Sequence, residues 1–293
     1  MTTTHDSASR PPQGYRSDLV LFFSLTFGVS WGAWATAWAL GGPANSPAAS
    51  GVHLIGAFGP LLAALVLRVR RGRRGEPAPA QVMRSGRGTL LWAPLLLVLA
   101  SATVWAGVLL AQAGGGPALG LDGIKDTVGD AGGIVAFVAM MLVGGPLGEE
   151  PGWRGTVHPR MRTTMGRFQA VLVLGVVWSV RHLPLFLLEG TVQYELGLAT
   201  AGGVLFAVSV LPMAMLIGYA YERGGIVAAI AVHFADNTTM VLLGVKAAET
   251  LALLLGLQAL VAVLLLTFAP PRTLPRTPRA GTVSAAPKPA VRV

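Results

Sequence analysis

The sequence predicts an all-α integral membrane protein: a bundle of about eight transmembrane helices with both termini in the cytoplasm. Three observations predict it. Only 12% of the 293 residues are charged and 53% are hydrophobic, at a mean hydropathy of +0.62, whereas a soluble domain carries about 25% charged residues. Apolar runs of roughly 17–25 residues, the length that crosses a bilayer, recur along the chain. The basic residues fall in alternate connections, as the positive-inside rule demands of an even number of crossings.

The elements follow in order. Residues 1–17 are polar, hold Arg10 and Arg16, and lack a cleavable signal pattern, because the next apolar run is too long for an h-region. That run, about 19–41, is the first span. A short second span, 51–67, leads into a connection with Arg68, Arg70, Arg71, Arg73, Arg74, Arg84 and Arg87. The third span is 89–111. Asp122, Lys125, Asp126 and Asp130 precede a short fourth span, 131–147. After it come Glu149 and Glu150, then Arg154, Arg160, Arg162 and Arg167. The fifth span is 168–188, followed by Glu189 and Glu195. The sixth, 199–220, and the seventh, 224–243, flank Arg223; Lys246 and Glu249 precede the eighth, 250–269.

The membrane domain is therefore 18–269, with a catalytic core of about 132–243. The tail, 270–293, is rich in Pro, Ala and Thr and is predicted to be disordered in the cytoplasm. Of the 22 Lys and Arg residues, 19 fall on one side, Lys125 and Lys246 on the other, and Arg181 inside a span. Adding or removing one helix destroys this alternation. The net charge of +9 comes from those connections, so it marks a multi-pass protein of the cell membrane in contact with the lipid bilayer, and no nucleic-acid partner. With no cysteine, disulfides, thiolate nucleophiles and cysteine-held zinc are excluded. No internal repeat of the kind that marks many transporters is visible.

A charged side chain at mid-membrane costs roughly 2.5–3.5 kcal/mol on insertion scales, so the few that occur are informative. They concentrate on three helices. The stretch Gly148-Glu149-Glu150-Pro151-Gly152-Trp153-Arg154 ends the fourth span. Its glycines and prolines predict a broken helix, with Pro151 in the first turn of a new one. In a membrane a broken helix lines a cavity. Glu150 and Arg154 are one turn apart and can pair; Glu149 faces elsewhere and is left free. In the fifth span Trp178 and His182 share a face, and Arg181 points about 100° away, able to snorkel or to meet a carboxylate. In the seventh, His233 and Asn237 share a face, with Asp236 nearby.

One chamber fed by all three helices suits hydrolysis. A carboxylate can deprotonate water and a histidine can orient it. A second histidine and an amide can donate to a tetrahedral oxyanion. The same groups suit zinc equally, with Glu149, His182 and His233 as ligands. The helix spacings pose a problem of depth. His182 lies about 15 residues from Arg167, or ~22 Å, and His233 about nine from Gly224, or ~14 Å. A Glu149 at the membrane surface reaches neither. The broken segment must sit deep and run back out to its arginines, and the fifth helix must start after Arg167 or tilt.

Three motifs in order carry a resemblance. Glu149-Glu150-Pro151-Gly152-Trp153-Arg154, then Trp178-Ser179-Val180-Arg181-His182, then His233-Phe234-Ala235-Asp236-Asn237 resemble the EExxxR, aromatic-xxx-His and HxxxN motifs of the CPBP intramembrane proteases. This Abi group includes the type II CAAX prenyl endopeptidases. The likeness covers roughly 132–243 and departs at Trp178, where phenylalanine is commoner.

The resemblance implies an eight-helix membrane bundle and an endopeptidase that acts on a membrane-associated peptide or protein. It implies Glu149 as the base that activates water, helped by His182. Glu150 supports it and pairs with Arg154, and His233 and Asn237 form the oxyanion site. It leaves open whether no cofactor or one zinc ion is used. Two other functions fit the polar chamber: a non-catalytic immunity or scaffold protein of the Abi type, and a proton-coupled transporter.

Overall fold

In a computed structural model, the structure describes residues 15–271 apart from 77, 79–81, 87 and 119–121. Residues 1–14, Arg87 and the expected disordered tail from 272 onward lie outside the described residues. All regular elements among the described residues are helical. In chain order they are α1 (Tyr15–Ala39), α2 (Ser50–Ala57), α3 (Gly59–Arg73), α4 (Thr89–Ala113), α5 (Asp122–Asp130), α6 (Ile134–Val143) and α7 (Pro146–Gly152). A π-helical turn, Trp153–Val157, leads into α8 (His158–Met161). Then come α9 (Arg167–Arg181), a 3₁₀ turn (Leu183–Leu187), α10 (Val192–Leu196), α11 (Ala201–Leu242) and α12 (Ala248–Phe268). The short helix α5 was not expected from the sequence.

Six stretches are long and apolar enough to cross a membrane: α1, α4, Ile134–Met161, Arg167–Leu187, α11 and α12. The pair α2 and α3, bent by 54° at Phe58, makes a seventh. Here α11 has 42 residues, about 63 Å if straight, or twice the hydrocarbon core. It is not straight. Gly225 has φ 78° and ψ −163°, outside helical space. The Ile226 N–H leaves the helix ladder to donate to the Arg84 carbonyl at 2.9 Å. Beyond the break the chain returns: a Cβ on Gly202 would lie 3.8 Å from the Lys246 carbonyl. The arms 201–224 and 226–242 are thus an antiparallel hairpin, and counting them separately gives the eight passes that the arginine alternation requires.

The arginine-bearing connections meet at one end. There Asp18 accepts from Arg71 Nη1 at 2.6 Å and from Arg160 Nε at 3.2 Å. Glu222 accepts from Arg162 Nε at 2.8 Å and Arg167 Nε at 2.6 Å. At the other end Lys246 pairs with Glu195 at 2.6 Å.

The break before the glutamates is corrected by one proline. The chain turns at Gly144–Gly145, where Gly145 has φ −149° and ψ −80°, and Pro146 opens α7. Pro151 lies inside α7 instead of starting a helix. Its missing N–H relaxes the ladder two residues later into the π turn, where Thr156 Oγ1 donates to the Pro151 carbonyl at 2.9 Å. The run from α7 to α8 then descends from His233, beside Gly145, to Arg160 at the arginine-rich end. That is the deep, returning path that the helix spacings demand. Nor does the fifth helix start after Arg167, since α9 begins at it.

Small residues let this segment approach its neighbours, as in membrane bundles generally. A Cβ on Gly152 would lie 2.4 Å from the Pro60 carbonyl, and one on Gly148 3.2 Å from that of Ala57. On α9, a Cβ on Gly175 would meet Ala214 at 3.1 Å.

Gly225 combines a positive φ with close approach, since a Cβ there would fall 2.2 Å from the Arg84 carbonyl. Gly225→Ala is expected to cost about 3 kcal/mol, combining strained backbone with overlap. Gly244→Ala, with φ 58° and open space around it, is expected to cost about 1–2 kcal/mol. Thermal unfolding of the two variants in detergent checks the order.

Candidate active site

The turn of α7 carries the two glutamates side by side, and they face different partners. Glu149 Oε2 accepts from Trp153 Nε1 at 3.2 Å and from Trp178 Nε1 at 2.5 Å. Its Oε1 lies 3.2 Å from Arg181 Nη1 and 3.9 Å from His182 Nε2. Glu149 is thus not free, as the sequence suggested, but held on both oxygens. Arg181 does not snorkel; it meets this carboxylate.

Glu150 Oε1 accepts from Arg154 Nη1 at 3.0 Å, the expected pair one turn apart, and lies 2.7 Å from His233 Nδ1. Both Glu150 and Arg154 are fully buried. The Arg154 guanidinium also stacks 4.6 Å from the Trp178 ring centre.

Trp178 is the shared wall between the two halves. Its ring centre lies 5.9 Å from that of His182 and 5.1 Å from that of His233. Its role is therefore more than packing, because its indole N–H also binds Glu149. With Nδ1 turned to Glu150, His233 presents Nε2 to Gly145. A Cβ on Gly145 would lie 3.4 Å from that nitrogen and 3.5 Å from Asn237 Nδ2. The His233 and Asn237 edges therefore face one backbone stretch together. Asp236 turns the other way, accepting from Gln258 on α12.

The structure thus brings Glu149, Glu150, Arg154, Trp178, His182, His233 and Asn237 into one neighbourhood. It adds residues the sequence did not single out. Trp153 binds Glu149 from one turn ahead, a spacing visible in the sequence. Trp34 of α1 stacks on His182, ring centres 6.2 Å apart, and lies 4.8 Å from the Arg181 guanidinium.

A zinc ion does not fit these residues. Glu149, His182 and His233 do not gather into a metal-holding group among the described residues. The reason is chemical: the Glu149 oxygens already face two indole N–H groups and a guanidinium. A groove of about 490 Å³ borders the segment at the arginine-rich end, lined by Leu61, Leu65, Met83, Arg71, Arg160 and Pro151 among others.

Residues 131–239 match the family model described as type II CAAX prenyl endopeptidase Rce1-like. CAAX prenyl protease 2 of Methanococcus maripaludis is 32% identical over 120 residues, 39% of this chain and 44% of that protein. The chain thus spans less than half the length of that curated relative. The matched residues contain every side chain in the three sequence motifs, but not Trp34, nor α2 or α3.

Burial makes the Glu150–Arg154 pair sensitive to single changes. Glu150→Gln is expected to cost about 3–5 kcal/mol by stranding a buried guanidinium, and the double variant Glu150→Gln/Arg154→Met to recover a large part of it. A double-mutant cycle by denaturant unfolding in micelles checks this.

Proposed function

We propose that this chain is an intramembrane endopeptidase, because residues 131–239 match the Rce1-like model of type II CAAX prenyl endopeptidases and resemble a CAAX prenyl protease. It hydrolyses a peptide bond in a membrane-associated substrate with a water activated by Glu149 and His182. The name of the relative supports a prenylated protein as the substrate class. The enzyme works as a multi-pass protein of the cell membrane.

The observation that carries this proposal is the 3.9 Å between Glu149 Oε1 and His182 Nε2. That is too long for a direct hydrogen bond, and it suits one water bonded to both. Glu149 takes the water proton as the oxygen attacks the scissile carbonyl carbon. The indole N–H groups occupy Oε2, so the water meets Oε1, the edge that also faces Arg181. The carbonyl becomes a tetrahedral oxyanion. Asn237 Nδ2 and the Nε2 edge of His233 are the groups that face it. Glu150, fixed by Arg154, holds His233 through Nδ1 in the manner of a carboxylate orienting a catalytic histidine. The C–N bond then breaks, and the proton held by Glu149 passes to the leaving amine. The carboxylate returns to its starting charge.

Three variants test these roles on a CAAX-type fluorogenic peptide in proteoliposomes. Glu149→Gln is expected to lower kcat by about 10²–10⁴-fold, and Asn237→Ala by about 10²–10³-fold, with the folded fraction retained. Persistence of full biological activity in both Glu149→Gln and His182→Ala would favour a non-catalytic immunity or scaffold role. Because the donor set does not fit zinc, dialysis against a chelator is expected to leave the rate within about twofold, a smaller change than loss of a catalytic metal produces.

A further inference from the structure

Arg181 is fully buried; its Nε and Nη2 are hydrogen-bonded, and Nη1 meets the Glu149 carboxylate as an ion pair without a formed hydrogen bond. Nε donates to Ser30 Oγ on α1 at 2.9 Å. Nη2 donates to the carbonyls of Gly56 at 2.8 Å and Ala57 at 3.1 Å. Nη1 lies 3.2 Å from Glu149 Oε1. The flat face rests on Trp34, and the Arg181 carbonyl accepts from Trp31 Nε1 at 3.0 Å.

The two carbonyls are the last of α2, exposed because the helix breaks at Phe58. Helix C-terminal carbonyls without intrahelical partners carry partial negative charge. The break in the second span therefore presents a socket for a cation at membrane depth. Ser30 completes it, donating to the Gly56 carbonyl at 2.7 Å while accepting from Arg181. The socket tolerates no side chain at its rim: a Cβ on Gly56 would lie 2.2 Å from Trp34 Nε1, and one on Gly59 2.3 Å from Ser30 Oγ.

We propose that Arg181 is a positioning residue for Glu149, and that α1 and α2, outside the family-matched residues, are working parts of the site through it. The mechanistic half of this proposal rests on the endopeptidase function above. Arg181 does not touch substrate, since no part of it is exposed. It fixes the Oε1 edge toward His182 and balances the carboxylate charge. A fork is required. Lysine has the charge, but a single ammonium cannot reach Ser30, two carbonyls and Glu149 in one plane.

Two readouts separate this proposal from the function it rests on. The first needs no turnover. The infrared difference between the wild-type protein and Glu149→Gln reports the Glu149 carboxylate band. That band is expected to shift in Arg181→Gln, shift less in Arg181→Lys, and move slightly in Ser30→Ala. An unshifted band in folded Arg181→Gln overturns the proposal, whether or not the wild type cleaves peptide.

The second is kinetic. Arg181→Gln is expected to lose about 10²-fold in kcat with KM within twofold, the pattern of a group acting on the chemical step. Added guanidinium is expected to restore part of it, and Ser30→Ala to lose severalfold while staying folded. Wild-type kcat per folded molecule in Arg181→Lys and Ser30→Ala, or a loss in Arg181→Gln that tracks only the unfolded fraction, also overturns it. A wild type no faster than Glu149→Gln instead ends the endopeptidase function and leaves the infrared result to stand on its own.

Discussion

Two carboxylates cannot sit side by side at membrane depth unless each finds its own donors. Isolated ionised groups taken out of water cost several kcal/mol apiece, and adjacent like charges add repulsion. The fold meets this by turning the two in opposite directions. Glu150 takes Arg154 and His233. Glu149 takes two indole N–H groups and Arg181. The partners come from the π turn after α7, from α9 and from the second arm of α11, so the charge balance fixes how those elements are placed. Trp178 serves both sides, donating to Glu149 while stacking on Arg154.

Broken helices are the means by which this is done. A continuous fourth span would satisfy its own backbone and could not turn the glutamates inward between α9 and α11. The turn at Gly144–Gly145 lets α7 start at the depth of His233, and the π turn lets the chain run out again to Arg160. The α2–α3 break exposes the carbonyls that receive Arg181. Each break is lined with glycine where a neighbour comes close: Gly148 and Gly152 against the backbone of α2 and α3, and Gly56 against the Trp34 indole. Backbone freed from a helix is tolerated in the membrane when buried protein partners take up its polar groups. Here those partners are the site residues themselves.

The sequence made the bundle legible because bilayer physics leaves long apolar runs and one-sided arginines. The eight passes are recoverable from it even where helix length alone counts α11 once. Pairing of Glu150 with Arg154 was legible because helix spacing is a local rule. The position of the break was not: a run with four glycines and two prolines signals a break without saying which residue yields, and Gly145 yields before Pro151. The surroundings of Glu149 were legible only in part. A search for ionisable groups passes over tryptophan, although its N–H is a donor that a buried carboxylate can use. It also passes over Ser30 and Trp34, which look like ordinary members of an apolar span. Arg181 showed a capacity to meet a carboxylate, but nothing in α9 alone says which one.

The site is held from two depths by interactions of different kinds. At the arginine-rich end, Asp18 ties α1 to α3 and α8, and Glu222 ties α11 to the start of α9. Asp18, Arg71 and Arg160 are buried, so losing one strands the others, a stronger constraint than a solvated surface pair provides. At the inner end the hold is the Arg181 socket. Between them the α7–α8 run is fixed at both ends, with glutamates near one and arginines near the other. That arrangement explains how a segment with so many glycines keeps a defined geometry. Its backbone freedom serves close approach and not motion, because paired charges at either end leave it one low-energy path.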